Sequence, residues 1–90
     1  MKLSIPISNP SRKYGYIYWT ADQDVEVRKF LKLAEKVEVW FENSYIGEKR
    51  IDWKYRRISV GWSRTRPIAE ECTEFQLSQC KDGSIKIICK

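Results

Sequence analysis

The sequence predicts an α+β domain: a single helix packed on a mostly antiparallel, twisted sheet of about five strands, in the order β-α-β-β-β-β. Three observations carry that expectation. Residues 20–34 alone repeat apolar side chains at helical spacing, with Val27, Phe30, Leu31 and Ala34 at i, i+3, i+4 and i+7. Most of the remainder alternates apolar and polar residues in short runs bounded by Asn, Asp, Gly and Pro. The chain has 90 residues, 42% of them hydrophobic, which is enough for one core, so residues 1–90 read as a single domain.

At the start, Leu3, Ile5 and Ile7 alternate and predict a short edge strand that stops at Asn9-Pro10-Ser11. The apolar run there is too short for a signal peptide and Pro6 interrupts it. No stretch reaches the ~18–20 apolar residues of a membrane span. A cytoplasmic location without membrane association is the expectation.

Residues 12–19, RKYGYIYW, predict a central strand from their aromatic and β-branched content, with Tyr14, Tyr16 and Tyr18 on one face and Ile17 and Trp19 on the other. This octamer also resembles the RNP1 motif of RNA-recognition domains, in which strand aromatics stack on bases. Arg12, Tyr14, Gly15, Tyr16, Ile17 and Trp19 fall at matching or chemically similar positions, and Lys13 replaces the motif's first glycine. An acidic turn and a helix follow, as in that family. The βαβ unit that precedes the motif there does not fit into eleven residues, so the resemblance covers about a quarter of the chain. It implies base-stacking tyrosines; the competing reading places the same rings in the core.

Thr20 and Gln23 fit a capping box for the helix, and Asp22, Asp24 and Glu26 suit its positive end. Asp24 and Arg28 form an i, i+4 pair. Residues 36–42 and 50–55 then alternate as an antiparallel hairpin about a turn at 43–47. Pairing Phe41 with Ile51, Val39 with Trp53 and Val37 with Tyr55 keeps both apolar sets together. That register sets Glu42 beside Arg50 and Glu38 beside Lys54, which gives both cations a structural role. At Arg56 and Arg57 the alternation changes phase. With no Gly, Pro or Asn to build a turn, a β-bulge in one long strand is expected, and two strands with a short corner are the alternative.

Residues 63–67 read as a basic loop. Residues 73–80 and 84–89 form a second hairpin across Lys81-Asp82-Gly83, pairing Cys80 with Ser84, Leu77 with Ile87 and Phe75 with Cys89. Cys72 then lies three residues from the partner of Cys89, roughly 10 Å along a strand. That is beyond disulfide reach. The 3 cysteines lack CxxC spacing and the chain has 0 histidines, so neither a metal site nor a cofactor is expected.

Function follows from where the charge sits. The net charge is +5, and residues 50–67 hold six Lys or Arg against one acid, Asp52. With Arg50 and Lys54 assigned to glutamates, Arg56, Arg57, Arg64 and Arg66 are left, and Arg12 and Lys13 form a second group beside Tyr14 and Tyr16. Guanidinium groups bind phosphate bidentately and stack on bases. The expected function is therefore a small basic nucleic-acid-binding protein, DNA or RNA, with these eight residues as the site. The alternative is a non-enzymatic protein-interaction module, an inhibitor or adaptor anchored by Trp40, as a monomer or homodimer. Enzymatic activity is not expected, because there is no histidine, glycine-rich phosphate loop or nucleophile motif.

Overall fold

The computed structural model describes residues 2–61 and 72–90. Their architecture departs from one helix on five strands. Seven strands form a single sheet that curls into a nearly closed barrel, and the α-helices are two and short. The elements are β1 (Lys2–Pro6), α1 (Asn9–Tyr14), β2 (Tyr16–Tyr18), a 3-10 turn at Ala21–Gln23, α2 (Asp24–Leu31), β3 (Lys36–Phe41), β4 (Ser44–Asp52), β5 (Arg57–Ser59), β6 (Glu74–Gln79) and β7 (Ile85–Cys89). The sheet order is β1-β6-β7-β3-β4-β5-β2. Every pair is antiparallel except β3 with β7.

The barrel encloses one core. Ile5, Ile17, Trp19, Val39, Ile58, Phe75, Leu77 and Ile87 are all buried in it, and α2 adds Val27, Phe30 and Leu31. Alternation explains the sidedness: along each strand every second residue faces this core, so the intervening ones form the outer face.

The predicted strand at 12–19 is divided: residues 12–14 are the last turn of α1, and only 16–18 are strand. Ser8 caps α1 by accepting from the Ser11 amide, and Pro10 sits in the first turn, where its missing N–H costs nothing. Gly15 ends the helix at φ 74, a left-handed conformation that glycine adopts without strain. Its carbonyl then accepts from both Val60 and Gly61. Only Tyr16–Tyr18 remain as strand, and they form an edge, not the centre, of the sheet. α1 thus links one edge strand, β1, to the other, with Ser11 fully buried.

The capping box at Thr20 and Gln23 is present, but it heads a 3-10 turn, and α2 stops at Leu31 because Lys32 and Leu33 both turn left-handed at φ 55. Asp24 is the hub of this corner. It accepts from Trp19 Nε1 at 2.9 Å and from Arg28 Nε at 2.6 Å. These bonds, Trp19 first, hold its carboxyl below the usual value.

The first hairpin has a different register from the predicted one. Glu42 and Asn43 take φ 48 and 71, and left-handed geometry at both central residues makes a two-residue turn. Phe41 therefore pairs with Ser44, Val39 with Gly47 and Val37 with Lys49. On the outer face Glu38 now opposes Glu48 and Lys36 opposes Arg50, so neither Arg50 nor Lys54 meets its predicted glutamate partner. The phase slip at Arg56-Arg57 is likewise a corner, not a bulge. Residues 53–56 turn the chain between β4 and β5, with Asp52 pairing Arg57. Asp52 substitutes for the missing turn residue: its Oδ1 accepts the Tyr55 amide at 3.0 Å. Arg56 closes the corner at φ 56, a conformation that penalises a β-carbon. Arg56→Gly is accordingly expected to raise stability by about 0.5–1 kcal/mol in urea unfolding.

The second hairpin has the predicted register, with Leu77 opposite Ile87 and Phe75 opposite Cys89. Cys72, however, reaches Cys89. Thr73 and Glu74 both donate to the Lys90 carbonyl, at 2.6 and 3.0 Å, a bulge that turns Cys72 onto the side of Cys89. Burial, aided by the neighbouring Cys72 thiol, pushes Cys89 up to about 12. All three cysteines are free.

Candidate nucleic-acid interface

Four of the eight sequence-predicted site residues come together. On β2, Tyr16 points outward and is half-buried, beside the outward Arg57 of β5. The Arg57 guanidinium lies over the Tyr16 ring at 4.5 Å and over the Tyr55 ring at 5.1 Å. It is held there by Asp52, whose Oδ2 is 3.6 Å from Arg57 Nε. Tyr14, at the end of α1, approaches Tyr16 with ring centroids 6.3 Å apart. Lys13 sits over Tyr14 at 5.3 Å, and Lys54 over Tyr55 at 5.4 Å. The result is a ladder in the order Lys13, Tyr14, Tyr16, Arg57, Tyr55, Lys54, with Tyr14 54% and Tyr55 50% exposed.

The folding logic of the ladder is local. Gly15 reverses α1 into β2 and so stacks Tyr14 near Tyr16. The 53–56 corner sets Tyr55 over the start of β5. The β2–β5 pairing, with Ile17 opposite Ile58 buried beneath, brings the two halves together. Each exposed cation–ring contact contributes roughly 0.5–1 kcal/mol, so the ladder is ordered without being locked.

Beside it lies a cavity of about 260 Å³ lined by Tyr16, Arg50, Asp52, Arg57 and Ser59. The register explains the grouping. Asp52 pairs with Arg57, and one outward step back along β4 brings Arg50 level with Ser59. Arg50, which sequence reasoning set aside, thus joins this cluster. The error came from the hairpin register: had Glu42-Asn43 been read as the turn, Arg50 would have been left without a glutamate opposite.

The other predicted residues go elsewhere. Arg12 points to the other side of α1 and donates to the Cys72 carbonyl at 3.2 Å. Arg56 lies toward Asp24, whose carboxyl it helps to hold ionised, and its Nε is buried without a partner. Arg64 and Arg66 lie outside the described residues. Trp40, the anchor of the alternative reading, is 38% exposed on the outer face of β3. It packs against Tyr45 at 5.3 Å, and Tyr45 donates its hydroxyl to Glu38 at 2.9 Å. The opposed Glu38 and Glu48 separate this pair from the Arg50 and Arg57 cluster.

Among the described residues no group of histidine, cysteine or carboxylate side chains could hold a metal ion, and no helix is long and apolar enough to cross a membrane. Comparison with protein-family models, curated proteins and solved structures finds no match.

Proposed function

We propose that this protein binds single-stranded nucleic acid across the outer face of β4, β5 and β2. Unpaired bases stack on Tyr14, Tyr16 and Tyr55, while Arg57, Lys13 and Lys54 meet the phosphates and Arg50 lines the adjoining cavity. The observation that carries this reading is Arg57, whose guanidinium is held between two tyrosine rings at 4.5 and 5.1 Å on an exposed surface. Aromatic platforms interleaved with cations are how single strands are bound with little sequence preference. The choice of single strands over duplex follows from the chemistry, since a ring can stack only on a base that has left its own stack.

The test is a binding titration at several salt concentrations, using nine-nucleotide single strands and the matching duplex. Three cations engaged with phosphates predict a slope of log K against log salt of about −2 for single strands. The single strand is expected to bind at least tenfold tighter than the duplex. Equal or tighter duplex binding, or no binding at low salt, contradicts the proposal.

A second reading, a protein-docking patch, is favoured by a separate observation: Trp40 and Tyr45 are an exposed aromatic pair on the same sheet face, set apart by Glu38 and Glu48.

A further inference from the structure

We infer that the cavity bounded by Tyr16, Arg50, Asp52, Arg57 and Ser59 seats one unpaired nucleobase, and that Asp52 makes guanine the preferred one. This inference rests on the single-strand reading above and adds base preference to it.

The size comes first. At about 260 Å³ the cavity is smaller than the ~300–1,000 Å³ of pockets for drug-sized ligands, so it suits one planar group and not an extended one. Its chemistry then argues against a phosphate. Arg50, Arg57 and Ser59 alone would make a plain anion site, but a carboxylate stands among them and repels any phosphate oxygen placed there. A carboxylate beside two arginines instead matches a ligand carrying adjacent donors and acceptors. That is the edge of a base.

Asp52 is held in position for this role. Its Oδ1 accepts the Tyr55 amide at 3.0 Å, and its Oδ2 faces Arg57 Nε at 3.6 Å. An ionised carboxylate offers about four lone-pair sites, so acceptor capacity remains on both oxygens. Guanine presents two neighbouring donors, N1–H and the N2 amino group, which a carboxylate receives as a bidentate pair. Adenine and cytosine present a single amino group next to a ring nitrogen acceptor. Thymine and uracil present one N–H between two carbonyl oxygens, which the carboxylate repels. Guanine also carries O6 and N7, the acceptors that arginine recognises best, and Arg50 is the guanidinium not already stacked on tyrosine. Tyr16 and the flat Arg57 group supply a wall on which the base can lie.

Base preference is measured with four nine-nucleotide thymidylate strands carrying guanine, adenine, cytosine or thymine at the centre, followed by fluorescence anisotropy. The guanine strand is expected to bind about tenfold tighter than the all-thymine strand, with adenine and cytosine between. Asp52→Asn replaces one acceptor oxygen by a donor amide while an asparagine still closes the 53–56 corner, so the guanine-to-thymine ratio should fall to about twofold or less. Arg50→Ala tests the same edge without touching the corner, and should weaken the guanine strand more than the thymine strand. Equal binding of all four strands to the unaltered protein, or a preference that survives both substitutions, overturns the assignment while leaving single-strand binding intact. Failure of all four strands to bind would instead remove the single-strand reading itself.

Discussion

Replacing Tyr16 and Tyr55 together by alanine is expected to weaken single-strand binding by about 100-fold. Stacking contributes about 1–3 kcal/mol per base, and about 1.4 kcal/mol is a factor of ten, so two lost platforms cost about 2–6 kcal/mol, a range that starts near 30-fold and includes 100-fold. Arg57→Ala should cost about tenfold or more, because it removes a phosphate contact and also frees both rings from their shared partner. The contrast lies within one dipeptide. Arg56→Gly, which removes the neighbouring arginine, should change affinity by less than twofold, since Arg56 lies toward Asp24 and not toward the tyrosines. Arg12→Ala should behave like Arg56→Gly, because its guanidinium is spent on the Cys72 carbonyl. A loss that follows net charge alone, equal for all three arginines, would mean that the ladder has no special part in binding.

The second large effect is on stability. Trp19 is fully buried, meets Trp53 edge-on at 5.8 Å and donates to Asp24. Trp19→Ala should remove about 3–5 kcal/mol, a large share of the roughly 5–13 kcal/mol available to a domain of this size. The melting temperature would fall by about 12 °C or more. Trp19→Phe keeps most of the buried surface and removes the hydrogen bond, which isolates the part played by Asp24. Because the folded carboxyl ionises below its ordinary value of 3.8, its contribution is complete above that pH and is lost as the pH falls through the folded value. Urea unfolding at pH 7 and below pH 4 should show a shallower acid loss for Trp19→Phe than for the unaltered protein. An unchanged acid limb would remove Asp24 from the account of this corner.

How much of this was legible depended on whether the deciding signal was local. The β6–β7 register could be read because Asp82-Gly83 marks the loop and parity fixes the faces. Asp82 Oδ1 indeed accepts from both the amide and the hydroxyl of Ser84. The β3–β4 register was hidden because Glu42 adopts a left-handed conformation that its side chain disfavours. Something else holds it there: the Glu42 carboxylate accepts the Cys89 amide at 2.7 Å, across the parallel β3–β7 contact. No local pattern announces a parallel pairing between residues 39–41 and 85–87.

α1 was hidden for the opposite reason. Its signal, Ser8 before Asn9-Pro10, was present, but the aromatic and β-branched content of residues 12–19 outweighed it. The candidate cluster was legible in part. Arg57, Tyr14, Tyr16 and Lys13 followed from composition and spacing, whereas Arg50 and the sandwiching role of Tyr55 depend on the hairpin register and the 53–56 corner.

The proposal places binding on one surface, the outer face of β4, β5 and β2. It is tested most directly by mapping amide and aromatic NMR shifts as a nine-nucleotide single strand is added to the whole chain. The largest changes are expected at Tyr14, Tyr16, Arg50, Tyr55 and Arg57, with Trp40 and Tyr45 unaffected. Changes centred on Trp40 and Tyr45, or spread evenly over exposed lysines and arginines, would contradict it.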